Sequence, residues 1–247
     1  MVDRRGWRLK IGVVVPSTNT IVQPDFDDLK PDGVTNHTAR ISIPDMAIRT
    51  DDDFDRLVRL SAAEQDAAVD RVMTAAPGCL VVGMSSLLVW DGLDAARERR
   101  RILSDRTGCP VTGGSFAVAD ALERLGLRRI AILSPYMPIA DRHISAFFVE
   151  QGFRVENFIG LKCPSPVAIA GTTADTLTRA LDEIDGPGVE ALVQFGTNLH
   201  FMRQAGEEER RRGKPVLAIN AVSYWHALRT CGLDDRVEGC GETLAGL

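Results

Sequence analysis

Short hydrogen-bonding side chains cluster at four places where an apolar run of the sequence ends. They lie in PSTNT (16–20), MSS (84–86), SPY (134–136) and FGTN (195–198). Each loop is expected to lead into a helix, whose first backbone N–H groups lack internal partners and attract anions. Ser, Thr and Asn are also ordinary helix N-caps, so a single loop of this kind predicts little. Four such loops in matched positions predict a cradle for a carboxylate.

The candidate substrate-binding residues are the polar residues of these loops together with one adjoining proline. They are Pro16, Ser17, Asn19, Ser85, Ser86, Tyr136, Thr197 and Asn198. Three side chains are candidates for catalysis: Tyr136 as a hydrogen-bond or proton donor, Ser85, and His200, which lies two residues after FGTN. Packing with an incidental hydroxyl contact is the alternative interpretation of Tyr136. The four histidines show no metal-ligand spacing, and no metal site is predicted.

Four strand-sized apolar runs carry these loops at their ends: LKIGVVV (9–15), CLVVGM (79–84), RIAILS (129–134) and ALVQF (191–195). Longer amphipathic stretches lie between them, including residues 51–76 and 115–126. This alternation predicts a parallel sheet that helices cover on both faces. In such sheets the loops at the carboxyl ends of the strands form the binding site.

The sequence also contains an internal repeat. KIGVVVP (from residue 10) matches RIAILSP (from 129), CLVVGMSS (from 79) matches ALVQFGTN (from 191), and GCPV (from 108) matches GKPV (from 213). The three pairs occur in the same order, 105 to 119 residues apart. They predict a duplication, with residues 1–112 plus 215–247 as one α/β unit and 113–214 as the other. Two facing units would bring all four loops to one cleft.

Composition narrows the class of protein. The 247 residues carry a formal net charge of −5, which gives no basic surface for nucleic acid. No apolar run approaches the roughly 20 residues of a membrane span, and no secretory signal is visible. The five cysteines contain no C-x-x-C pair, which argues against zinc or dithiol chemistry and favours a reducing cytoplasm. The G-x-G-x-x-G pattern is missing as well, so we expect no dinucleotide cofactor.

Several segments resemble one enzyme group. IGVVVPSTNT (11–20) resembles the opening of bacterial maleate cis–trans isomerases, and MSSLLVWDG (84–92) resembles arylmalonate decarboxylases. FGTNL, SPY and AINAVSYWHALRTCGL (218–233) also fit this group, which belongs to the aspartate/glutamate racemase superfamily. The resemblance implies two pseudo-symmetric units, each with a parallel four-stranded sheet flanked by helices, and an active cleft between them. It further implies chemistry beside a carboxylate without metal or organic cofactor, and a possible homodimer or higher oligomer.

The resemblance also implies two reactive cysteine positions, at which this sequence has Met84 and Gly196. In the superfamily, racemases exchange protons through two thiols, isomerases use one as a nucleophile, and decarboxylases use one as a proton donor. Neither a thioether nor glycine can do this. We therefore expect a replacement such as Tyr136, His200, Ser85 or water, or else Cys163 moving into the cleft.

The predicted function is a cofactor-independent isomerase or decarboxylase of a small mono- or dicarboxylate, such as a maleate- or malonate-like acid. A two-cysteine mechanism is not expected. The alternative is a non-catalytic carboxylate-binding protein that keeps the cleft.

Overall fold

The computed structural model describes residues 3–247, in which eight strands form two separate parallel sheets. The first sheet contains β1 (Leu9–Pro16), β2 (Val34–Ile41), β3 (Cys79–Val82) and β4 (Val111–Gly113), in the order β2-β1-β3-β4. The second contains β5 (Arg129–Ser134), β6 (Arg154–Gly160), β7 (Ala191–Gln194) and β8 (Val216–Ala218), in the order β6-β5-β7-β8. The equal strand order confirms the predicted pair of pseudo-symmetric α/β units.

Helices connect the strands and cover the sheets. They are α1 (Val22–Leu29), α2 (Asp51–Met73), α3 (Leu93–Thr107), α4 (Gly114–Arg124), α5 (Pro138–Val149), α6 (Ala174–Ile184), α7 (Met202–Arg212), α8 (Ile219–Thr230) and α9 (Glu242–Ala245). Single 3₁₀ turns occur at Ser85–Leu88 and Ala168–Gly171.

The central strands β1 and β3, and β5 and β7, are almost wholly buried because helices lie on both faces of each sheet. Their registers match across the repeat, since Ile11 pairs with Cys79 and Ile130 pairs with Ala191. Both sheets therefore end their central strands in the same relative positions.

Helix α2 begins where the sequence predicts it, because Thr50 and Asp53 form a reciprocal capping box. Three aspartates in its first turn further stabilise the helix, because negative charge is favourable at the N-terminal end of the helix dipole. The buried stripe of α2 includes Phe54 and Leu57, one turn apart, and this stripe reaches the cleft described below.

The two units exchange elements near the carboxyl end of the chain. Strand β8 pairs with β7 in the second sheet, and α8 then packs on α1, α4, β3 and β4. The predicted division at residue 215 therefore differs from the sheet pairing, because it assigns β8 to the first unit. Helices α4 and α8 meet closely at Gly114, where a Cβ atom would lie 2.3 Å from Cγ1 of Ile219.

No helix within residues 3–247 is long and apolar enough to cross a membrane.

Candidate active site

The turns that follow β3 and β7 have the same backbone hydrogen bonds. We call residues 83–87 the Met84 turn and residues 195–199 the Gly196 turn. In each, the first N–H donates to a carbonyl of the neighbouring central strand, and the fifth donates to the carbonyl of the second residue. These bonds join Gly83 to Val14 (2.8 Å), Leu87 to Met84 (3.2 Å), Phe195 to Leu133 (2.7 Å) and Leu199 to Gly196 (3.1 Å). Position by position, Met84 thus corresponds to Gly196, Ser85 to Thr197 and Ser86 to Asn198.

The three middle residues of each turn have unpaired backbone donors. Within residues 3–247, no protein acceptor lies in hydrogen-bond geometry with the N–H groups of 84–86 or 196–198. Successive N–H groups without partners can bind an anion where they point to the same space. Each half of the molecule supplies one such set.

The four predicted loops converge on one cleft between the halves. It is lined by Pro16, Thr18, Asn19, Ile43, Phe54, Leu57, Met84, Ser86, Tyr136, Pro166, Ile169, Thr197 and Asn198. The cleft has a cavity volume of about 40 Å³. At roughly 10–15 Å³ per water, this space corresponds to a few water molecules, which favours a small ligand over a large one. The cleft therefore fits a small molecule.

Hydrogen bonds across the cleft hold the two turns against the first loop. Thr197 Oγ1 donates to the carbonyl of Gly83 at 2.9 Å and accepts from Nδ2 of Asn19 at 3.3 Å. Asn198 Oδ1 accepts from the N–H of Thr20 at 2.9 Å, and its Nδ2 donates to the carbonyl of Pro166 at 2.9 Å. Both polar atoms of the Asn198 side-chain amide are thus hydrogen-bonded within the protein. Only the backbone N–H of Asn198 has no partner.

Two residues of the first loop also have structural partners. Asn19 caps α1, since its Oδ1 accepts from the N–H groups of Ile21 and Val22 at 3.0 and 2.9 Å. Ser17 Oγ donates to the carbonyl of Ile43 at 3.0 Å and accepts from its N–H at 3.1 Å. The structure places Ser17 outside the cleft lining, because its hydroxyl is used to join this loop to residue 43.

Tyr136 and Ser85 contact each other across the interface of the halves. The Oη of Tyr136 lies 3.2 Å from Oγ of Ser85, and its ring packs on Phe54 with centroids 4.9 Å apart. Burial raises the pKa of Tyr136 to about 12, although the hydrogen bond with Ser85 opposes this shift. The phenol is therefore neutral at ordinary pH and can donate a proton.

Ser86 has an unused hydroxyl at the cleft. Its side chain is buried, and Oγ has no partner among the described residues. A buried hydroxyl without a hydrogen bond costs about 1–3 kcal/mol, which a ligand oxygen in the cleft would offset. Ser86 is thus a specific candidate for contact with substrate.

The positions of Met84 and Gly196 differ in the space available to a side chain. The Met84 side chain is buried and lines the cleft. At Gly196, where φ is +158°, an added Cβ would lie 2.4 Å from Cδ and 2.7 Å from Cγ of Pro135. A side chain at this second position would require Pro135 to move.

Two further candidates from the sequence, His200 and Cys163, lie away from the cleft lining. His200 is exposed, one residue beyond the Gly196 turn. Cys163 is half-buried, with Sγ 3.7 Å from Oγ1 of Thr172, and burial raises the pKa of its thiol. Cys79 is buried within β3. No cysteine and no charged side chain of the described chain lines the cleft.

Sequence reasoning missed the apolar wall of the cleft. The wall consists of Ile43, Phe54, Leu57, Pro166 and Ile169, which come from α2, a 3₁₀ turn and two connecting loops. The i, i+3 spacing of Phe54 and Leu57 could have indicated one buried face of α2. It could not indicate that this face meets the loops of both halves.

No group of three or more His, Cys, Asp or Glu side chains in residues 3–247 is arranged to hold a metal ion. The expectations of no metal and no organic cofactor stay predictions.

The fold and the site together define a class: duplicated α/β proteins whose halves enclose a small cleft. Within this class, the family model for arylmalonate decarboxylase matches residues 11–244, and the chain belongs to that family.

Relatives within the family include both isomerases and a decarboxylase. A maleate isomerase of Pseudomonas putida is 26% identical over 249 residues, covering 96% of this chain and 97% of the relative. An arylmalonate decarboxylase of Bordetella bronchiseptica is 29% identical over 135 residues, covering 53% of this chain and 55% of the relative.

Solved structures show the same fold. The maleate cis–trans isomerase of Nocardia farcinica, in a cysteine-to-serine variant with a covalently bound succinylcysteine intermediate, matches with a TM-score of 0.87 and 21% identity. The match covers 96% of this chain and 98% of that chain. A crystal structure of arylmalonate decarboxylase matches with a TM-score of 0.73 and 22% identity, covering 95% and 98% of the two chains.

Proposed function

We propose that this protein is a cofactor-independent isomerase or decarboxylase of small carboxylic acids, and that decarboxylation of a malonate-like acid fits its cleft best. The family supports an enzyme of the isomerase or lyase type, because the named relatives are maleate isomerases and an arylmalonate decarboxylase. The observation that carries the proposal is the convergence of two sets of unpaired N–H groups, Ser86 and the neutral phenol of Tyr136 at one small cleft.

The absence of a thiol among the lining residues favours decarboxylation. A cysteine adduct, as named in the solved Nocardia farcinica isomerase, needs a thiolate within bonding distance of the substrate carbon. The lining residues of this cleft offer none. Loss of carbon dioxide requires no nucleophile, so it is compatible with Met84 and Gly196 at the two turns.

In the proposed reaction, a carboxylate is held by the N–H groups of residues 84–86 and 196–198. The bond between the α-carbon and the second carboxyl carbon of the malonate breaks, carbon dioxide leaves, and the electron pair forms an enediolate with the carboxylate that the N–H groups hold. Ser86 Oγ binds a substrate oxygen, and developing charge on the enediolate oxygens is stabilised by the fixed backbone donors. One such donor typically contributes about 10²–10³ in rate.

The α-carbon then takes the proton of Tyr136. The resulting phenolate recovers a proton from water, and Ser85 Oγ, 3.2 Å away, can relay it. The apolar wall formed by Phe54, Leu57 and Ile169 keeps the cleft poor in water. A low-polarity surrounding strengthens the donor contacts to the enediolate and disfavours the doubly charged ground state.

The proposal is tested by incubating the purified protein with 2-methylmalonate, 2-phenylmalonate and maleate in deuterium oxide, followed by proton NMR. We expect loss of carbon dioxide from at least one malonate, with one deuterium incorporated at the α-carbon. Thermal stabilisation by an acid without product or deuterium exchange would instead indicate a non-catalytic carboxylate-binding protein. If none of these acids is turned over and none stabilises the protein, the proposal is contradicted altogether.

A further inference from the structure

Asp25 is a buried carboxyl group that the reaction above does not use. It lies in the first turn of α1, only 4% exposed, and it is not among the residues that line the cleft. Buried carboxyl groups are rare unless they are paired or have a functional role. The contacts of Asp25 therefore require an explanation.

Asp25 is linked to the Gly196 turn through one amide. Nδ2 of Asn220, which lies on α8 and is 3% exposed, donates to Oδ2 of Asp25 at 2.8 Å and to the backbone carbonyl of Thr197 at 3.0 Å. Both hydrogens of this amide are thereby used. Thr197 lines the cleft. The Asp25–Asn220 pair therefore contacts a peptide group of the candidate site.

The other atom of the amide has no partner. Oδ1 of Asn220 is buried, and no donor contacts it in the part of the chain that the structure describes. An ionised Asp25 has no hydrogen to donate, whereas a protonated carboxyl can donate one while accepting from the same amide. A cyclic acid–amide pair of two hydrogen bonds would satisfy Asn220 completely.

The surroundings of Asp25 are compatible with the neutral acid. The pKa of Asp25 is raised to about 6, mainly by burial and in part by the charge of the neighbouring Asp28. The hydrogen bond from Asn220 and the charges of His200 and Arg203 oppose this shift. The remaining titratable neighbour is the thiol of Cys240. The guanidinium of Arg203 pairs with Asp28 at 2.9 Å, and no ion pair within residues 3–247 involves Asp25.

We propose that Asp25 is a positioning residue which, as a neutral carboxylic acid, pairs with both polar atoms of the Asn220 amide and thereby fixes the Thr197 peptide at the cleft. Its activity readout rests on the proposed function, while its protonation and its effect on stability do not. Ionisation of Asp25 removes one hydrogen bond of the pair. The loss of one such bond corresponds to a roughly 2- to 12-fold effect on turnover.

The first test measures protonation directly. In protein labelled with ¹³C at the aspartate carboxyl carbons, the signal assigned by its loss in Asp25→Asn should titrate near pH 6. The pKa of Asp25 in the folded protein lies above the ordinary aspartate value of 3.8, so the wild type should lose stability as the pH rises from about 4 through 6. Asp25→Asn keeps both hydrogen bonds to Asn220 without a charge and should not lose stability over this range. The control Asp28→Asn, an exposed position on the same helix, should keep this loss of stability but shift it to lower pH, because the charge of Asp28 raises the pKa of Asp25.

The second test measures the pH dependence of turnover of whichever malonate the wild type decarboxylates. Wild-type kcat/KM should fall roughly 2- to 12-fold as Asp25 ionises, and Asp25→Asn should abolish this fall. Asp28→Asn and His200→Gln should retain it. A carboxyl signal that titrates near pH 4, or a fall in kcat/KM that survives in Asp25→Asn but disappears in His200→Gln, would overturn the inference. If no acid is turned over at all, the proposed function fails, and the NMR and unfolding measurements still decide the state of Asp25.

Discussion

The Met84 turn and the Gly196 turn share the same backbone hydrogen bonds but have different residues at their second position. Both turns leave three N–H groups unpaired, and both end a central strand of their sheet. Met84 extends a side chain into the cleft, whereas Gly196 is closed against Pro135. The comparison shows that the three N–H groups are unpaired with either residue at the second position of the turn. A proton donor can therefore come from elsewhere, and Tyr136 lies beside Ser85 of the Met84 turn.

The largest expected effect comes from removing this donor. Tyr136→Phe keeps the ring that packs on Phe54 and removes the hydroxyl, so we expect kcat to fall about 10²- to 10⁴-fold. KM should change little, because the backbone donors of both turns remain. Steady-state kinetics with the malonate that the wild type decarboxylates would measure this split.

The matched control for this prediction is Ser85→Ala, which keeps the phenol and removes its partner at 3.2 Å. It should lower kcat much less than Tyr136→Phe does. Equal kcat values for Tyr136→Phe and the wild type would exclude the phenol as the proton donor and would favour an ordered water.

The second prediction concerns the closed position. Gly196→Ala places a Cβ 2.4 Å from Cδ of Pro135, and such overpacking lowers the free energy of unfolding by about 1–3 kcal/mol. Chemical denaturation would measure it. If the contact with Pro135 is the cause, Pro135→Ala combined with Gly196→Ala should lose less stability than the sum of the two single changes. Additive effects would place the strain in the backbone of Gly196 instead.

The internal repeat in the sequence predicted the two matching halves that carry these turns, because duplication preserves strand order. The paired motifs around residues 10 and 129, 79 and 191, and 108 and 213 lie in β1 and β5, β3 and β7, and at β4 and β8. The loops at their ends meet because parallel strands of both sheets end at the same cleft. The edge strands β2 and β6 were not predicted, since their half-exposed residues show no continuous apolar run.

The individual roles of the loop residues could not be predicted. A serine at a strand end has the same sequence signature whether its hydroxyl is used by the protein, as at Ser17, or unpaired in the cleft, as at Ser86. Asp25 lies in the acidic run DFDD, which resembles a solvated helix face. Its burial depends on α8, which joins from the far end of the chain.

The third prediction separates binding from stability at the Met84 turn. Ser86→Ala removes a buried unpaired hydroxyl, so the free protein should become slightly more stable. The substrate should lose one hydrogen bond, which raises KM by roughly 2- to 12-fold. Ser115 on α4 has an equally buried and unpaired hydroxyl but lies outside the cleft lining. Ser115→Ala should therefore give the gain in stability without the change in KM, and an equal KM effect in both variants would remove Ser86 from the site.

The smallest expected effect is the response of turnover to alkaline pH. Because burial holds the pKa of Tyr136 at about 12, the phenol keeps its proton well above the ordinary tyrosine value of 10.0. In Asp25→Asn, which removes the proposed step near pH 6, kcat should stay level from about pH 7 to 10.5. A solvent-exposed tyrosine would already be half ionised at pH 10, and kcat would then be halved. Such a fall would show that Tyr136 is hydrated in the working enzyme, and that the dry contact between Tyr136, Ser85 and Phe54 does not persist during turnover.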